Sequence, residues 1–443
     1  MVFLNYIYFI IISVFSLKLL LQREGKVRSS FDKRRVLLFT GPELFLLLIF
    51  ATGLLAFSTD LGGLDLMAVR LFVLELFCII GLYIANRKIG INIPVILYLI
   101  YMLWLFIGLF YSPSATYGIR VILKYSYPLL LMLFVSSVVR DEEVFLKSGL
   151  YARIVALISL VVILTNSYKL IQWDRFIPGV FWYGTAVTIN YISMIVFSLA
   201  MYIFYGRKIK DIILAVLFFI PCIVLGFRTS IIGSSAALGL FIFFRYRWKS
   251  LPLLLGLFIL FFSVLLFSPE VKKKMFLNKD INAEDFMEGK VTIDDINSNG
   301  RFVMWTKLLE KHFRGRELLG SGTGSTQKYM YENHVFGGLK VPHNDFVQQL
   351  CDNGLIGIVL YLTMALFIIS HSFIEYSKNN NIYAVRVSAI VAGVSMGGVL
   401  LTMLTDNVVN YSMATIAYPF GFYGMMLGLK RRQKNDISSN SFV

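Results

Sequence analysis

The chain has 443 residues, 57% of them hydrophobic and only 15% charged, where soluble domains carry about a quarter charged; this excludes an ordinary water-soluble globular protein. Lys and Arg outnumber Asp and Glu by 42 to 26, but the cations lie mostly in short segments between apolar runs, a membrane-topology signal and no pointer to nucleic acid. Three cysteines exclude a disulfide framework: Cys78 and Cys222 fall in apolar runs, and only Cys351 lies near an aqueous segment.

A membrane-spanning helix needs roughly 20 predominantly apolar residues. Residues 2–21 satisfy this and lack a small-residue cleavage site after them, so they read as a retained first helix and not as a secretory leader. Further spans fall at 36–57, 66–85, 91–111, 118–139, 150–167, 185–205, 211–227, 229–244, 250–267, 354–371, 383–404 and 411–429. The expectation is an all-α polytopic membrane protein with about twelve or thirteen transmembrane helices. Arg228 splits the 211–244 stretch into two short spans, so its charge has to reach a surface or a wet cavity. Glu75 and Lys18 also lie inside spans, where buried pairing or snorkelling accounts for them.

Orientation follows from the loops. One set holds Arg23, Lys26, Arg28, Lys33, Arg34 and Arg35, then Arg87 and Lys88, Arg207, Lys208 and Lys210, Arg245, Arg247 and Lys249, and Lys430, Arg431 and Arg432. The alternate loops at 58–65, 112–117 and 405–410 have no Lys or Arg, and 166–184 has only Lys169 and Arg175. The positive-inside rule makes the first set cytoplasmic, with the N-terminus outside. The chain then divides into ten helices over 1–267, a large periplasmic (external) loop over 268–353, three helices over 354–429 and a cytoplasmic tail at 430–443. No internal repeat of the transporter kind is evident.

A loop as long as 268–353 is expected to be functional and to hold secondary structure of its own. In 301–313, Phe302, Trp305, Leu309 and Phe313 share one helical face, which predicts an amphipathic helix lying on the membrane. GSGTGS at 320–325 lacks the Gly-Lys-Ser/Thr ending of a phosphate loop and is expected to be a flexible turn. His312 and His334 are expected on solvated loop surface. No set of His, Cys and Asp stands at metal-ligand spacing.

The stretch 342–357, PHNDFVQQLCDNGLIG, is the most informative. Asn344 reads as a helix N-cap, and the positive end of the helix dipole disfavours an imidazolium at His343, so the ring suits proton acceptance. His343-Asn344, nine residues, then Gly354-Leu355-Ile356-Gly357 resembles the motif of the bacterial O-antigen ligase and O-antigen polymerase family. LGFRTS at 225–230 is similar to that family's Arg at the outer end of a helix, and SNGRFVMW at 298–305 to its Gly-Arg…Trp element. Gly239 follows Arg228 at a spacing associated with the polymerase branch. The likeness covers roughly 210–360.

The resemblance implies an enzyme of the bacterial inner membrane that transfers an undecaprenyl-diphosphate-linked oligosaccharide to an acceptor sugar hydroxyl on the external face. It implies no cofactor and no metal. The acceptor is a lipid-linked repeat unit in a polymerase, with a chain-length regulator as a further partner, or lipid A core in a ligase; the Arg228–Gly239 spacing inclines the reading to polymerisation of O-antigen or capsular or exopolysaccharide units. On the residues themselves, a neutral His343 suits a general base. Arg228, Arg301, Arg120 and Lys124 suit a diphosphate at the outer face, Arg120 and Lys124 being one helical turn apart. Asn344, Gly354 and Gly357 complete the motif, and Asp345 and Asp406 also fall at that face. The competing class is a lipid-linked oligosaccharide flippase or other transporter, which would need no large external loop.

Overall fold

Helix starts follow local capping. Asn92 accepts the Val95 N–H at 3.1 Å with Pro94 in the first turn, Asp141 accepts that of Val144 at 2.9 Å, and Asn344 accepts those of Phe346 and Val347, each at 3.0 Å. In the computed structural model, which describes residues 2–21, 56–57, 60–61, 64–85, 91–173, 180–181, 184–256, 259, 300–333 and 339–440, the helices run as follows. They are α1 (Val2–Leu21), α2 (Leu66–Ala85), α3 (Ile93–Phe110), α4 (Ala115–Val138), α5 (Glu142–Ser167), α6 (Gly184–Phe204), α7 (Ile209–Val224) and α8 (Arg228–Tyr246), then α9 (Arg301–His312), α10 (Ser325–Asn333), α11 (Asp345–Lys378), α12 (Tyr383–Thr402) and α13 (Ala417–Asn440). Extended structure among the described residues amounts to two antiparallel pairings of two residues each, Ala56–Phe57 with Val180–Phe181 and Asp60–Leu61 with Leu64–Asp65. The fold is all-α.

The bundle is built for lipid. On α3 the apolar residues Ile96, Leu99, Leu103 and Phe106 face outward, while Tyr98 and Tyr101 are buried. Tyr98 donates to the Tyr125 carbonyl at 2.6 Å, and the rings of Tyr101, Tyr125 and Tyr361 meet at 5.3 to 5.7 Å. Polar groups inside and aliphatic groups outside is what a hydrocarbon surrounding requires. α12 lies at the centre, nearly all of it buried, and crosses α8 where the carbonyl of Gly233 lies 2.7 Å from where a Cβ on Gly398 would stand. Seven helices among the described residues are long and apolar enough to cross a membrane: α3, α4, α5, α6, α8 with its extension to Gly256, α11 and α12.

The sequence reading is corrected in part. Expected spans at 2–21 and 66–85 coincide with α1 and α2, and those at 211–227 and 411–429 overlap α7 and α13; these four are helices but not among those seven. Residues 36–55 of the 36–57 span and most of 250–267 lie outside the described residues, as do Arg175, His334 and most of 268–300. α11 begins nine residues before the expected 354, and the helical path breaks at Gly354, where φ is +64° and ψ −168°. α9 packs one apolar face against the protein. Its Met304, Leu308 and His312 are buried against Val347 and Cys351 of α11 and Met330 of α10, with Trp305, Leu309 and Phe313 flanking. His312 is therefore inside, its ring 5.2 Å from that of Tyr329; burial first, then the charges of Lys311 and Arg316, push its pKa down to about 4.

At the far end of the bundle, Lys430 pairs with Glu375, and the Tyr423 hydroxyl bonds His371 Nδ1 at 2.7 Å and accepts from Asn92 at 2.8 Å. This fastens α3, α11 and α13 together away from the 343–345 end.

Candidate functional site

Four chain segments meet at one end of the bundle: the start of α8, the start of α9, residues 341–345 and the turn after α12. His343 stands just before α11 with φ +53°, a left-handed conformation that costs a residue with a side chain about 1 kcal/mol or more. Neighbouring contacts hold it there. The Trp305 indole N–H donates to the Pro342 carbonyl at 2.6 Å, and the Asp345 N–H donates to the Met403 carbonyl at 2.9 Å. His343 Nδ1 lies 3.2 Å from Asp406 Oδ1, which also accepts the Asn407 N–H at 2.8 Å. If Nδ1 carries the proton toward the carboxylate, Nε2 is left as an acceptor. The side chain of His343 is 25% exposed and that of Asp406 13%, so the pair is sheltered but reachable.

Arg301 anchors the second part. Its Nη1 donates to the Thr405 carbonyl at 2.7 Å, one residue from Asp406. Burial lowers its pKa from the ordinary value, Asp406 opposes that and the charge of Arg228 adds to it, so Arg301 lies within electrostatic reach of both Asp406 and Arg228. Thr229, next to Arg228, bonds Thr405 at 3.3 Å. Two guanidinium forks beside a base and a carboxylate can meet a phosphate group leaving next to a hydroxyl.

Arg120 and Lys124 are placed elsewhere. They line a cleft with Lys340, Gln327 and Asn410, in which Lys124 Nζ and Gln327 Nε2 donate to Asn410 Oδ1 at 2.5 and 3.1 Å. The four cations of the sequence reading thus fall into two groups, Arg228 with Arg301 and Arg120 with Lys124.

The glycines of the motif are architectural. At Gly354 a Cβ would come within 2.2 Å of the Leu318 carbonyl oxygen, so only glycine fits both the positive φ and the approach. Into this break runs the segment 316–324. Ser321 and Gly322 donate to the carbonyls of Cys351 and Asp352 at 2.8 and 2.9 Å, and Leu355 and Ile356 donate to those of Glu317 and Leu318 at 2.8 and 3.3 Å. The indole of Trp104 caps the Asn353 carbonyl at 3.0 Å, passing over Gly357, where a Cβ would meet it at 3.2 Å. The buried Asp352 carboxylate then accepts from Gly324 N, Ser325 Oγ, and both N and Oγ1 of Thr326. GSGTGS is a buried, fully tied loop and not a flexible turn.

One comparison with known proteins bears on this arrangement. Residues 213–362 match the O-antigen ligase family model. No curated protein matches the chain. The O-antigen ligase segment is about a third of the 443 residues and contains Arg228, Arg301, His343, Asn344, Gly354 and Gly357. Arg120, Lys124 and Asp406 lie outside it.

Asp406 stood in the sequence only as an acidic residue at the outer face; its pairing with His343 spans 63 positions and no local pattern announces it. Lys340 and Asp352 were missed for the same reason. At Gly239 a Cβ would meet Leu254 at 3.5 Å, ordinary contact among the described residues, so packing does not account for the Arg228–Gly239 spacing.

Proposed function

We propose that the protein is a membrane glycosyltransferase of the O-antigen polymerase and ligase kind, working on the external face of the bacterial inner membrane and polymerising repeat units from an undecaprenyl-diphosphate donor. The observation that carries this is the sheltered His343–Asp406 pair at 3.2 Å, with Arg301 bonded one residue away, inside or beside the matched segment. Asp406 orients the ring, and Nε2 of His343 takes the proton of the acceptor hydroxyl as its oxygen attacks the donor's anomeric carbon. The bond from that carbon to phosphate oxygen breaks, and the diphosphate leaves with the electron pair. Arg301 and Arg228 meet the charge that develops on it. Asn344, Gly354 and Gly357 fix the chain that presents His343, and the short loops at this end, 112–117 and 405–410, hold no Lys or Arg, which supports an outward orientation. A ligase would use the same centre with lipid A core as acceptor.

The test is purified full-length protein in detergent with lipid-linked repeat units. Chain growth is expected, which a flippase does not catalyse. His343→Ala should reduce it about 10²–10⁴-fold, the usual worth of a positioned base, with membrane insertion unchanged. Undiminished transfer by that variant would remove His343 from the chemistry.

A further inference from the structure

The cleft that holds Arg120 and Lys124 has a volume of about 270 Å³, and its lining includes neither His343, Arg228 nor Arg301. Three cations reach it, the third being Lys340, and among the described residues lining it there is no carboxylate. At the rim Arg120 lies 5.5 Å from the ring of Tyr117 and Lys340 5.4 Å from that of Tyr331, and the two rings are 5.7 Å apart, so one aromatic pair carries both cations. Like charges gathered together repel one another; Asp345, behind the lining, offsets part of this at Lys124, and an anion in the cleft relieves the rest. Beside the cations, Leu71, Leu123 and Met413 supply an apolar wall.

This second cation cluster is coupled to the first. Val341 lines the cleft two residues before His343. Asp345, two residues after it, takes the Val409 N–H at 3.1 Å and feels the charges of both Asp406 and Lys124. The stretch 341–345 therefore borders the His343 centre and the cleft together.

We propose that the cleft seats the diphosphate of a second lipid-linked glycan, the acceptor, while Arg228 and Arg301 hold that of the donor; this rests on the glycosyltransferase reading above. Cations next to an apolar wall in about 270 Å³ suit a diphosphate with the first isoprene units of one chain. The acceptor's own diphosphate bond stays intact: its sugar hydroxyl gives up the proton, and only the donor's diphosphate leaves. Two stations for one kind of headgroup make the enzyme a polymerase.

The experiment uses the full chain with His343→Ala, held in discs of neutral phosphatidylcholine and titrated with undecaprenyl diphosphate, with bound lipid counted by native mass spectrometry. Two are expected per chain. Arg120→Gln with Lys340→Gln should leave one, with affinity for the other down about tenfold or more per cation removed, and the lipid that remains certifies the fold. Arg301→Gln should remove the other, and Arg120→Lys with Lys340→Arg should keep both. A single bound lipid in the parent, two in the glutamine variant at unchanged affinity, or displacement of the second by equimolar phosphatidylglycerol would each overturn the proposal. Chain growth by unsubstituted protein is scored separately: growth with one bound lipid refutes the second station alone, whereas two bound lipids without growth refute the transferase reading.

Discussion

At its start the 343–357 stretch presents His343, a quarter exposed, in a left-handed turn and held by one carboxylate. At its end Asn353 and Gly354 are buried, and three freed carbonyls and two freed N–H groups of the broken helix find partners in 317–322 and Trp104. The two ends share a motif but not a kind of work. The first is poised toward a substrate and keeps bonding capacity unspent; the second is saturated and carries load. Losing either would abolish activity, so activity alone cannot tell them apart, whereas stability can.

The sharpest way to break this comparison is Gly354→Ala beside His343→Ala. The glycine variant combines a positive φ with a backbone overlap and should lose about 3–4 kcal/mol, seen as a fall in thermal midpoint or in folded yield. His343→Ala should leave the midpoint where it was. Equal midpoints for the two would erase the distinction. Next comes Asp352→Ala, which strips four donors of one buried acceptor and should cost about 3 kcal/mol, with faster amide exchange through 320–333 as the local signature. Unaltered exchange there would show that the clamp is dispensable.

Asp406→Asn should act at the other end only, reducing turnover about 10- to 100-fold through a misoriented ring while donor KM and thermal midpoint hold. A raised KM at constant turnover would reassign Asp406 to binding. The smallest effect concerns His312. Its folded pKa of about 4 lies below the ordinary 6.5, so between those values the unfolded chain binds more protons and acid favours it. The packing of α9 should be fully stable above about pH 6.5 and weaken as pH falls toward 4. Amide exchange of 301–312 at pH 7 and pH 5 checks this, and His312→Phe should flatten the difference.

Much of the frame was legible in the chain because hydrophobic length and loop charge are local properties. The run 66–85 and α2 share both bounds, and Asn344 caps α11 as its residue type predicts. His343, Arg228 and Arg301 could be picked out by motif; Asp406 faces His343 and Arg301, and Arg301 feels the charge of Arg228. What could not be read is what depends on distant pairs. The Thr323 contacts to the Leu105 carbonyl and to Asn353 cross 218 and 30 positions, and the docking of α9 on α11 hides His312 behind a sequence whose charges suggest solvent. Arg120 and Lys124 looked equivalent to the other outer cations because one-dimensional order gives sidedness but not grouping.

The threading of 316–324 through the break in α11 also bears on chimaeras. Grafting an external loop from another polysaccharide enzyme onto this chain would strand the carbonyls of Cys351, Asp352 and Gly108 unless the helix ends that meet the loop travelled with it. The transplantable unit is loop plus helix ends, and specificity swaps designed on loop boundaries alone should yield insoluble protein.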